Sequence, residues 1–452
     1  MPYGSRAVAR PRPAFLAIFS FCAVTTCSVN VQAAEAFAAD SPWMTGDWGG
    51  LRTEWLNKGI DIQMGYLGES ASNVHGGYRK HDKVTRYADQ FNLGANIDLH
   101  KLMGWGDTAF SISLTNRNGD NINDKIADPR ASGMSSTQQI QGRGSVTRLS
   151  ELWLSKGWFD DRINIKAGRF AVSDEFAVED CVFQSLAFCG SQPGNYVDSI
   201  YNSPIGQWAA RIRYRMANQV YAQIGAFNVN PSDLDNDNGF KLNGSGTSGT
   251  FVPVELIWTP RVNQLPGEYR LGYYHSSANG TDVYKDENNR VAAITGDAYR
   301  SDSSRRGFWL IGKQQLTSVG GDTSRGLTLS ASATFQDKAT TPVDSYQKVA
   351  LTYKGPFDAR PTDTLGLGIA RIHASSRFLR NAKTANDQSG LSYDDSGYVP
   401  EQHTEYAAEL NYGIQATQWL NIMPNVQFIK NPDGVRQVDN ALVLGLQVQS
   451  QF

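Results

Sequence analysis

The sequence predicts an all-β protein, a transmembrane antiparallel β-barrel of 16 strands with short periplasmic turns, long extracellular loops and a short N-terminal helix. Three observations predict this fold: apolar and polar residues alternate within strand-length segments, the connections alternate between short and long, and the chain ends on an aromatic residue. In the last segment, Leu442, Leu444 and Leu446 share one parity, whereas Gln447 and Gln449 share the other. Such alternation is typical of a strand with one apolar and one polar face. A closed sheet of such strands can span a membrane, because every backbone hydrogen bond is satisfied within it.

The N-terminus predicts export through the periplasm to the bacterial outer membrane. Residues 1–33 contain a basic region with three arginines, an apolar stretch over residues 14–29 and small residues around Ala33, which is the order found in cleaved secretory signal peptides. The formal net charge of −2 gives no indication of a nucleic-acid partner.

Two of the four cysteines remain after removal of the signal peptide. Cys22 and Cys27 lie within it, whereas Cys181 and Cys189 lie in the mature chain. Since the compartment is oxidising, we expect these two cysteines to form a disulfide that closes a small loop. A metal site is the alternative, although no nearby histidine supplies the remaining ligands.

The mature chain divides into an N-terminal periplasmic segment, residues 34–59, and the barrel, residues 60–452. In the first segment, Asp47 can cap a helix, residues 51–58 favour one, and Gly59 can end it. Sixteen strands follow in the pattern, at 60–72, 88–101, 107–117, 147–158, 162–170, 207–217, 219–229, 250–259, 268–277, 307–317, 326–337, 346–355, 364–375, 403–414, 419–430 and 439–452.

The lengths of the gaps between these strands set the topology. Residues 159–161 and 416–418 are short links, whereas residues 118–146, 171–206 and 376–402 are long ones. Outer-membrane barrels have short periplasmic turns, long extracellular loops and an even number of strands. If the first strand leaves the periplasm after the helix, every short gap falls on the periplasmic side.

Parity also predicts which side chains face the lumen. A register error of one residue on the strand 207–217 would place three arginines in hydrocarbon, at about 2–4 kcal/mol each. The residues predicted to face the lumen and to form the substrate-binding constriction are Arg117, Glu151, Trp153, Lys166, Arg211, Arg213 and Glu255, with Arg215, Glu405 and Glu409 also facing inward.

The predicted lumen carries charges of both signs, which favours neutral polyhydroxyl solutes over a fixed ion. A pore for one ion would be lined mainly by the opposite charge. Charged groups can replace water around hydroxyls, and aromatic faces can stack on sugar rings. Two alternatives stay open: the charges only pair and hydrate the wall, or Arg211, Arg213 and Arg215 bind anions such as phosphate.

The longest connection, residues 171–206, is a candidate to fold into the lumen and narrow it. It contains the cysteine pair and four aromatic residues, Phe176, Phe183, Phe188 and Tyr196. We therefore include Phe176 in the predicted constriction. The alternative is a loop that lies over the barrel rim.

No cofactor is required by the predicted function. Asp233, Asp235 and Asp237 resemble a calcium-binding loop, but the following glycine is one place late and the twelfth position is Gly244, so an acidic solvated loop is the alternative. None of the six histidines lies in a hydrolase motif, and we predict no enzymatic activity.

Three motifs resemble those of the carbohydrate-selective porins of the OprB family. They are Thr-Gly-Asp-Trp-Gly-Gly-Leu-Arg-Thr-Glu-Trp-Leu-Asn-Lys-Gly-Ile at residues 45–60, Lys-Ala-Gly-Arg-Phe with Asp-Glu-Phe within 166–176, and Val-Gln-Phe-Ile-Lys-Asn-Pro-Asp-Gly followed by Ala-Leu-Val-Leu-Gly within 426–445. The resemblance covers essentially the whole mature chain.

This resemblance implies a 16-stranded outer-membrane barrel that admits glucose and other mono- and oligosaccharides by passive diffusion, through a constriction of charged and aromatic residues. Its implied partners are outer-membrane lipid and the assembly machinery, which would read the C-terminal Phe452. The sequence leaves open a homotrimer. It also leaves open three other functions: an anion or phosphate porin, a hydrolase at the barrel rim, and a structural or adhesive barrel.

Overall fold

The computed structural model describes residues 34–80, 82–140 and 145–452, so the predicted signal peptide lies outside the described residues. Sixteen strands form a closed antiparallel barrel, and the predicted fold class is confirmed. Numbered along the chain, the strands are β1 (Ile60–Gly77), β2 (Thr85–Asp98), β3 (Thr108–Gly119), β4 (Val146–Trp158), β5 (Ile163–Phe170), β6 (Gln207–Ala217), β7 (Val220–Val229), β8 (Gly249–Trp258), β9 (Leu265–Ser276), β10 (Arg305–Gln315), β11 (Gly326–Phe335), β12 (Val343–Lys354), β13 (Thr364–Ala374), β14 (Thr404–Gln415), β15 (Leu420–Lys430) and β16 (Asp439–Gln451).

Each strand pairs with the next one along the chain, and β1 closes the barrel by pairing with β16. The closing register runs from Gly65 opposite Gln451 to Gly77 opposite Asp439. Connections alternate in length as the sequence predicts: β6 and β7 are joined by two residues, whereas 171–206 separates β5 from β6. Both described chain ends lie on the side of the short turns.

The connections contain short elements of their own. The turn between β8 and β9 contains a two-residue strand, Arg261–Val262, and the loop between β9 and β10 contains a hairpin of Gly280–Asp286 and Tyr299–Asp302. The helices are α1 (Leu51–Asn57), α2 (Leu99–Met103), α3 (Asn123–Ile126), α4 (Pro193–Tyr196), α5 (Ala292–Thr295) and α6 (Ser376–Ser389), with short 3-10 segments at Trp48–Gly50, Val172–Asp174, Leu186–Phe188, Pro231–Leu234, Asn236–Asn238 and Pro432–Gly434. Within the part of the chain that the structure describes, no helix is long and apolar enough to cross a membrane.

Burial alternates along the strands because one face meets lipid and the other meets the lumen. On β6, Trp208 and Ile212 are 38% and 46% exposed, whereas Arg211 between them is 2% exposed. The β4 strand departs from simple alternation at a bulge, where Ser113 of β3 lies opposite Glu151 but Leu114 lies opposite Leu149. The extra residue reverses the alternation between lumen-facing and lipid-facing side chains. The lumen-facing parity predicted for Glu151 and Trp153 therefore does not apply to the residues before the bulge.

The N-terminal segment is fastened where the barrel closes. Asp47 Oδ1 accepts a hydrogen bond from Thr53 N in the first turn of α1 at 2.7 Å, whereas the N-cap residue of this helix is Gly50. Arg52 of α1 stacks against Trp43, with 4.2 Å between its guanidinium carbon and the ring centroid, and its Nη1 donates to Phe452 O at 2.5 Å. The first helix therefore binds the last residue of the chain.

Candidate functional site: the lumen and its inserted loop

The loop between β5 and β6, residues 171–206, lies inside the barrel and bridges its walls. On one side, Ala177 N donates to Glu255 Oε1 of β8 at 3.0 Å. Farther along, Gln184 N and Ser185 N donate to the Glu409 carboxylate of β14, at 2.9 and 2.8 Å. Since β8 and β14 are six strands apart around the barrel, the loop crosses the lumen.

The base of the loop is held by Glu175, which binds three cations of the wall. Its carboxylate lies 2.9 Å from Lys166 Nζ, 2.9 Å from Arg211 Nε and 3.1 Å from Arg213 Nη2. Lys166 and Arg211 are register partners on β5 and β6, so the two strands place adjacent cations on the inner face. A buried carboxylate among three bases keeps these cations compensated in a site with little water.

Glu255 forms a second centre beside the first, and both of its oxygens are fully engaged. Oε1 accepts from Ala177 N and from Trp309 Nε1, the latter at 2.8 Å. Oε2 accepts from Gln223 Nε2 at 2.8 Å and from Arg270 Nη1 at 3.0 Å. These contacts tie β7, β8, β9 and β10 to the loop.

Aromatic side chains pack the loop base against the wall. Phe176 is fully buried, and its ring centroid lies 5.8 Å from that of Phe227 in an edge-to-face arrangement. Lys166 Nζ lies 4.1 Å from the Trp153 ring centroid, a cation–π contact beside its ion pair. Gly225 admits this packing, because a Cβ there would lie 2.9 Å from the Phe176 ring.

The tip of the loop is closed by the disulfide Cys181–Cys189, which confirms the pairing expected from the sequence. Phe188 is fully buried beside Gly368 of β13, where a Cβ would come within 2.8 Å of its ring. Glu179 binds Lys348 of β12 at 2.7 Å. The tip is thus anchored to walls remote from its own strands.

The loop between β3 and β4 also enters the lumen, which the sequence reasoning missed. Gln138 Nε2 donates to Glu69 O of β1 at 2.9 Å, and Ile140 N donates to Glu69 Oε2 at 3.0 Å. Met134 N donates to Asp433 Oδ1 at 2.7 Å in the loop between β15 and β16. Burial raises the pKa of Asp433 to about 7. Hydrogen bonds from the backbone N–H groups of Met134 and Ser135 lower this pKa, but by less than burial raises it. No periodic pattern in the sequence predicts such a loop. The only available signal was that acids such as Glu69 and Asp433 would need hydrogen-bond donors from another segment.

A family model described as the carbohydrate-selective porin, OprB family, matches residues 82–452 of this chain. The chain belongs to the OprB family. It is 52% identical over 426 residues to Porin B of Pseudomonas aeruginosa, an alignment that covers 93% of this chain and 94% of that protein. The high-pH structure of Pseudomonas putida OprB matches it with a TM-score of 0.91 at 52% identity, covering 92% of this chain and 100% of that one. The protein is therefore an outer-membrane porin selective for carbohydrates, and not an enzyme.

In this OprB-family porin, four of the eight residues assigned to the constriction are buried where the inserted loop packs against the wall. Lys166, Arg211, Glu255 and Phe176 have exposed fractions between 0% and 6%. A solute cannot reach such side chains, so their role here is to hold the loop. Two residues that share this role, Glu175 and Arg270, were missed by the sequence reasoning.

The other four predicted residues, Arg117, Glu151, Trp153 and Arg213, are partly exposed in the lumen. Glu151 Oε2 accepts from Ser111 Oγ at 3.1 Å and from Trp153 Nε1 at 3.0 Å, and Arg117 Nε donates to Gln90 Oε1 at 2.6 Å. Arg215 has the same parity as Arg211 and Arg213, and its Nη2 donates to Asp160 O in the turn between β4 and β5.

The three aspartates of the calcium hypothesis do not converge. Asp233 is buried, 3.8 Å from Arg169 Nη2, while Asp235 Oδ2 accepts from Asn238 Nδ2. Within residues 34–80, 82–140 and 145–452, no group of three or more metal-ligating side chains could hold a metal ion, these aspartates and Asp237 included. The geometry gives the calcium hypothesis no support.

Proposed function

We propose that this porin lets glucose and other mono- and oligosaccharides diffuse passively through its lumen, and that Arg117, Glu151 and Trp153 contact the solute. The observation that carries the proposal is the loop bridge from Glu255 to Glu409, which crosses the lumen and narrows it. In a narrowed path a sugar exchanges part of its water shell for wall contacts, so the wall can discriminate between solutes.

The three residues offer the chemistry that a sugar needs. A carboxylate accepts hydrogen bonds from hydroxyls, a guanidinium donates to them, and an indole face packs against the C–H face of a pyranose ring. Because each contact is made by a partly hydrated side chain, binding stays weak enough for release, as diffusion requires.

The charge balance of the inner wall argues against the anion-porin alternative. Arg211 and Arg213, which could have formed an anion ladder, both bind Glu175, and Arg270 binds Glu255. A field of one sign, which anion selectivity would need, is therefore largely cancelled.

Liposome swelling tests the selectivity. Vesicles containing the porin are expected to swell faster with glucose than with a zwitterion of similar size, since the zwitterion must desolvate two full charges. Equal swelling rates would overturn the selectivity claim.

Single-channel recordings test the residues. Glu151→Gln and Arg117→Gln are each expected to weaken the block of ion current by glucose by about threefold to tenfold, because each removes a charge-assisted hydrogen bond. The matched control is Asp394→Asn, which removes an exposed charge from an extracellular loop and should leave the block unchanged. If the block is equal in all variants, these residues do not contact the solute.

We also propose that the outer-membrane assembly machinery recognises Phe452 before the barrel closes. Deletion of this residue is expected to lower the yield of folded barrel without affecting export. The folded fraction is measured from the difference in gel mobility between unheated and heated samples. Native mass spectrometry of the same extracts tests the homotrimer that the sequence leaves open.

A further inference from the structure

A row of polar residues lies on the outer wall of the barrel, at the extracellular ends of β13, β14 and β15. Arg371 is the register partner of Tyr406, and Tyr406 is the partner of Lys430, so the three cross adjacent strands. One outward position below the row lie Ile369 and Phe428, which are 58% and 44% exposed on the lipid-facing surface. The two cations therefore stand where the apolar band ends and the polar headgroups of the outer leaflet begin.

Part of this row borders a pocket that is completed by residues of two loops, one before β14 and one between β15 and β16. The pocket has a volume of ≈ 440 Å³ and is lined by His403, Thr404, Tyr406, Lys430, Asn431 and Arg436. Its walls are joined by hydrogen bonds, since His403 N donates to Gly434 O at 2.9 Å and Asn431 Nδ2 donates to Thr404 O at 3.2 Å. The pocket is open to the surface, so a headgroup can enter it.

The positive charge of the pocket has no acidic partner. Among the described residues, Lys430, Arg436 and Arg371 form no ion pair, and the pocket lining contains no carboxylate. The acids of the neighbouring elements bind other bases, at 2.8 Å for Asp344 with His373, 3.8 Å for Glu401 with Lys383 and 3.6 Å for Asp439 with Lys80.

Two titratable groups beside the pocket agree with this charge balance. Burial, followed by Arg436 and Lys383, lowers the pKa of His403, so the site repels a further positive charge. Asp433, in the same loop as Arg436, is buried and accepts from Met134 N. It is therefore engaged away from the pocket lining.

Another group of bases on the extracellular side is neutralised, which sets the pocket apart. Arg377 and Arg300 bind the buried Asp282 at 2.7 and 3.1 Å and so join two loops. Within the described part of the chain, Lys430 and Arg436 do not join loops through a carboxylate in this way, and they lie beside the lipid.

We propose that this pocket binds a phosphate group on the headgroup of an outer-leaflet glycolipid. Arg436 offers planar donors that match phosphate geometry, Lys430 adds a mobile point charge, and Asn431 and Thr404 supply neutral polar groups. The acyl chains of the same lipid would lie along the apolar surface below, at Ile369 and Phe428.

The test measures how much bisphosphorylated lipid A the full-length folded porin retains in detergent micelles, by native mass spectrometry. The double variant K430Q/R436Q is expected to weaken retention at least about tenfold, since two charge-assisted contacts are lost. The matched control R306Q/K338Q removes the same charge from exposed positions outside the pocket. It is expected to change retention less than about twofold, because it leaves both cations of the pocket in place.

Lipid A stripped of its phosphates provides a second measurement on the unaltered protein, so the result does not depend on how the variants fold. Equal retention of both lipids, or an equal loss in both double variants, would overturn the proposal. Inorganic phosphate that fully displaces the lipid at equal concentration would instead identify a free-phosphate site and also overturn it. Swelling with glucose should be unchanged in K430Q/R436Q, because the pocket faces outward, so this test is independent of the proposed sugar pathway.

Discussion

The inserted loop meets two walls of the lumen by different chemistry. At its base, the wall of β5 and β6 holds it with three ion pairs to Glu175, and Glu255 of β8 accepts a hydrogen bond from Ala177 N. At its tip, the wall of β12–β15 holds it with one buried ion pair, between Glu179 and Lys348, and otherwise with neutral donors and packing. The Glu409 carboxylate accepts two backbone N–H groups and Asn411 Nδ2, and Phe188 packs beside Gly368.

The difference indicates which end of the loop is easier to displace from the wall. Breaking a buried ion pair leaves an uncompensated charge, at about 3–5 kcal/mol, whereas a hydrogen bond to a charged group contributes about 1.5–3 kcal/mol. The base, where Glu175 binds three cations, should therefore be the more firmly fixed end of the loop. The tip, which has one buried ion pair, should be the end whose position adjusts the width of the path.

The largest effect is expected from Glu175→Gln. The change leaves the buried Lys166 and Arg211, and the partly exposed Arg213, without their anion. The free energy of unfolding should therefore fall by about 3–5 kcal/mol, and the single-channel conductance should rise as the loop base detaches. Urea titration in micelles and bilayer recordings measure the two effects.

The matched control is Glu268→Gln on the same wall. Glu268 binds Arg270 at 2.7 Å but is 39% exposed, so its loss should cost about 0–1 kcal/mol. If both variants lose the same stability, the contrast between buried and exposed acids on this wall is wrong.

An intermediate effect is expected from the double variant C181S/C189S. Without the disulfide, the tip gains conformational freedom in the unfolded chain and the free energy of unfolding should fall by about 2–4 kcal/mol. Since the base stays bound, current fluctuations should increase more than the mean conductance. Reductant should reproduce this on the unaltered protein and have no effect on the variant; a mean conductance as high as that of Glu175→Gln would contradict a fixed base.

The smallest effect is expected from Gly368→Ala. The new methyl group would meet the Phe188 ring at 2.8 Å, and such overpacking costs about 1–3 kcal/mol and displaces the tip. Gly413→Ala on β14 is the control, since its nearest neighbour would be 3.5 Å away. Adding Phe188→Ala to Gly368→Ala should restore the path width, as judged by glucose swelling; no restoration would mean that this contact does not position the tip.

The barrel could be predicted from the sequence because lipid on one side and water on the other impose a period of two on every strand. The β5 strand, expected at 162–170, spans Ile163–Phe170. The β1 strand extends past its expected end at residue 72 to Gly77, because its last residues pair with the start of β16, a partner that is remote in sequence.

The candidate site could be predicted only in part, because parity indicates which way a side chain points but not what covers it. Arg211 and Arg213 look alike in sequence, yet the loop buries the first and leaves the second partly exposed. Glu175 lies in an aperiodic loop. The one available signal was chemical: two adjacent inward cations, Lys166 and Arg211, need an anion nearby. Gln184 and Glu409 lie 225 residues apart, a pairing that no local pattern encodes.

The contact between Arg52 and Phe452 spans 400 residues, so the first helix can make it only once the last residue exists. A chain that stops early would leave the edge of β1 without its partner, and unpaired backbone groups are not tolerated in hydrocarbon. The seam between β1 and β16 can thus form only when β16 is present, so the first and last strands of the barrel depend on each other to complete it.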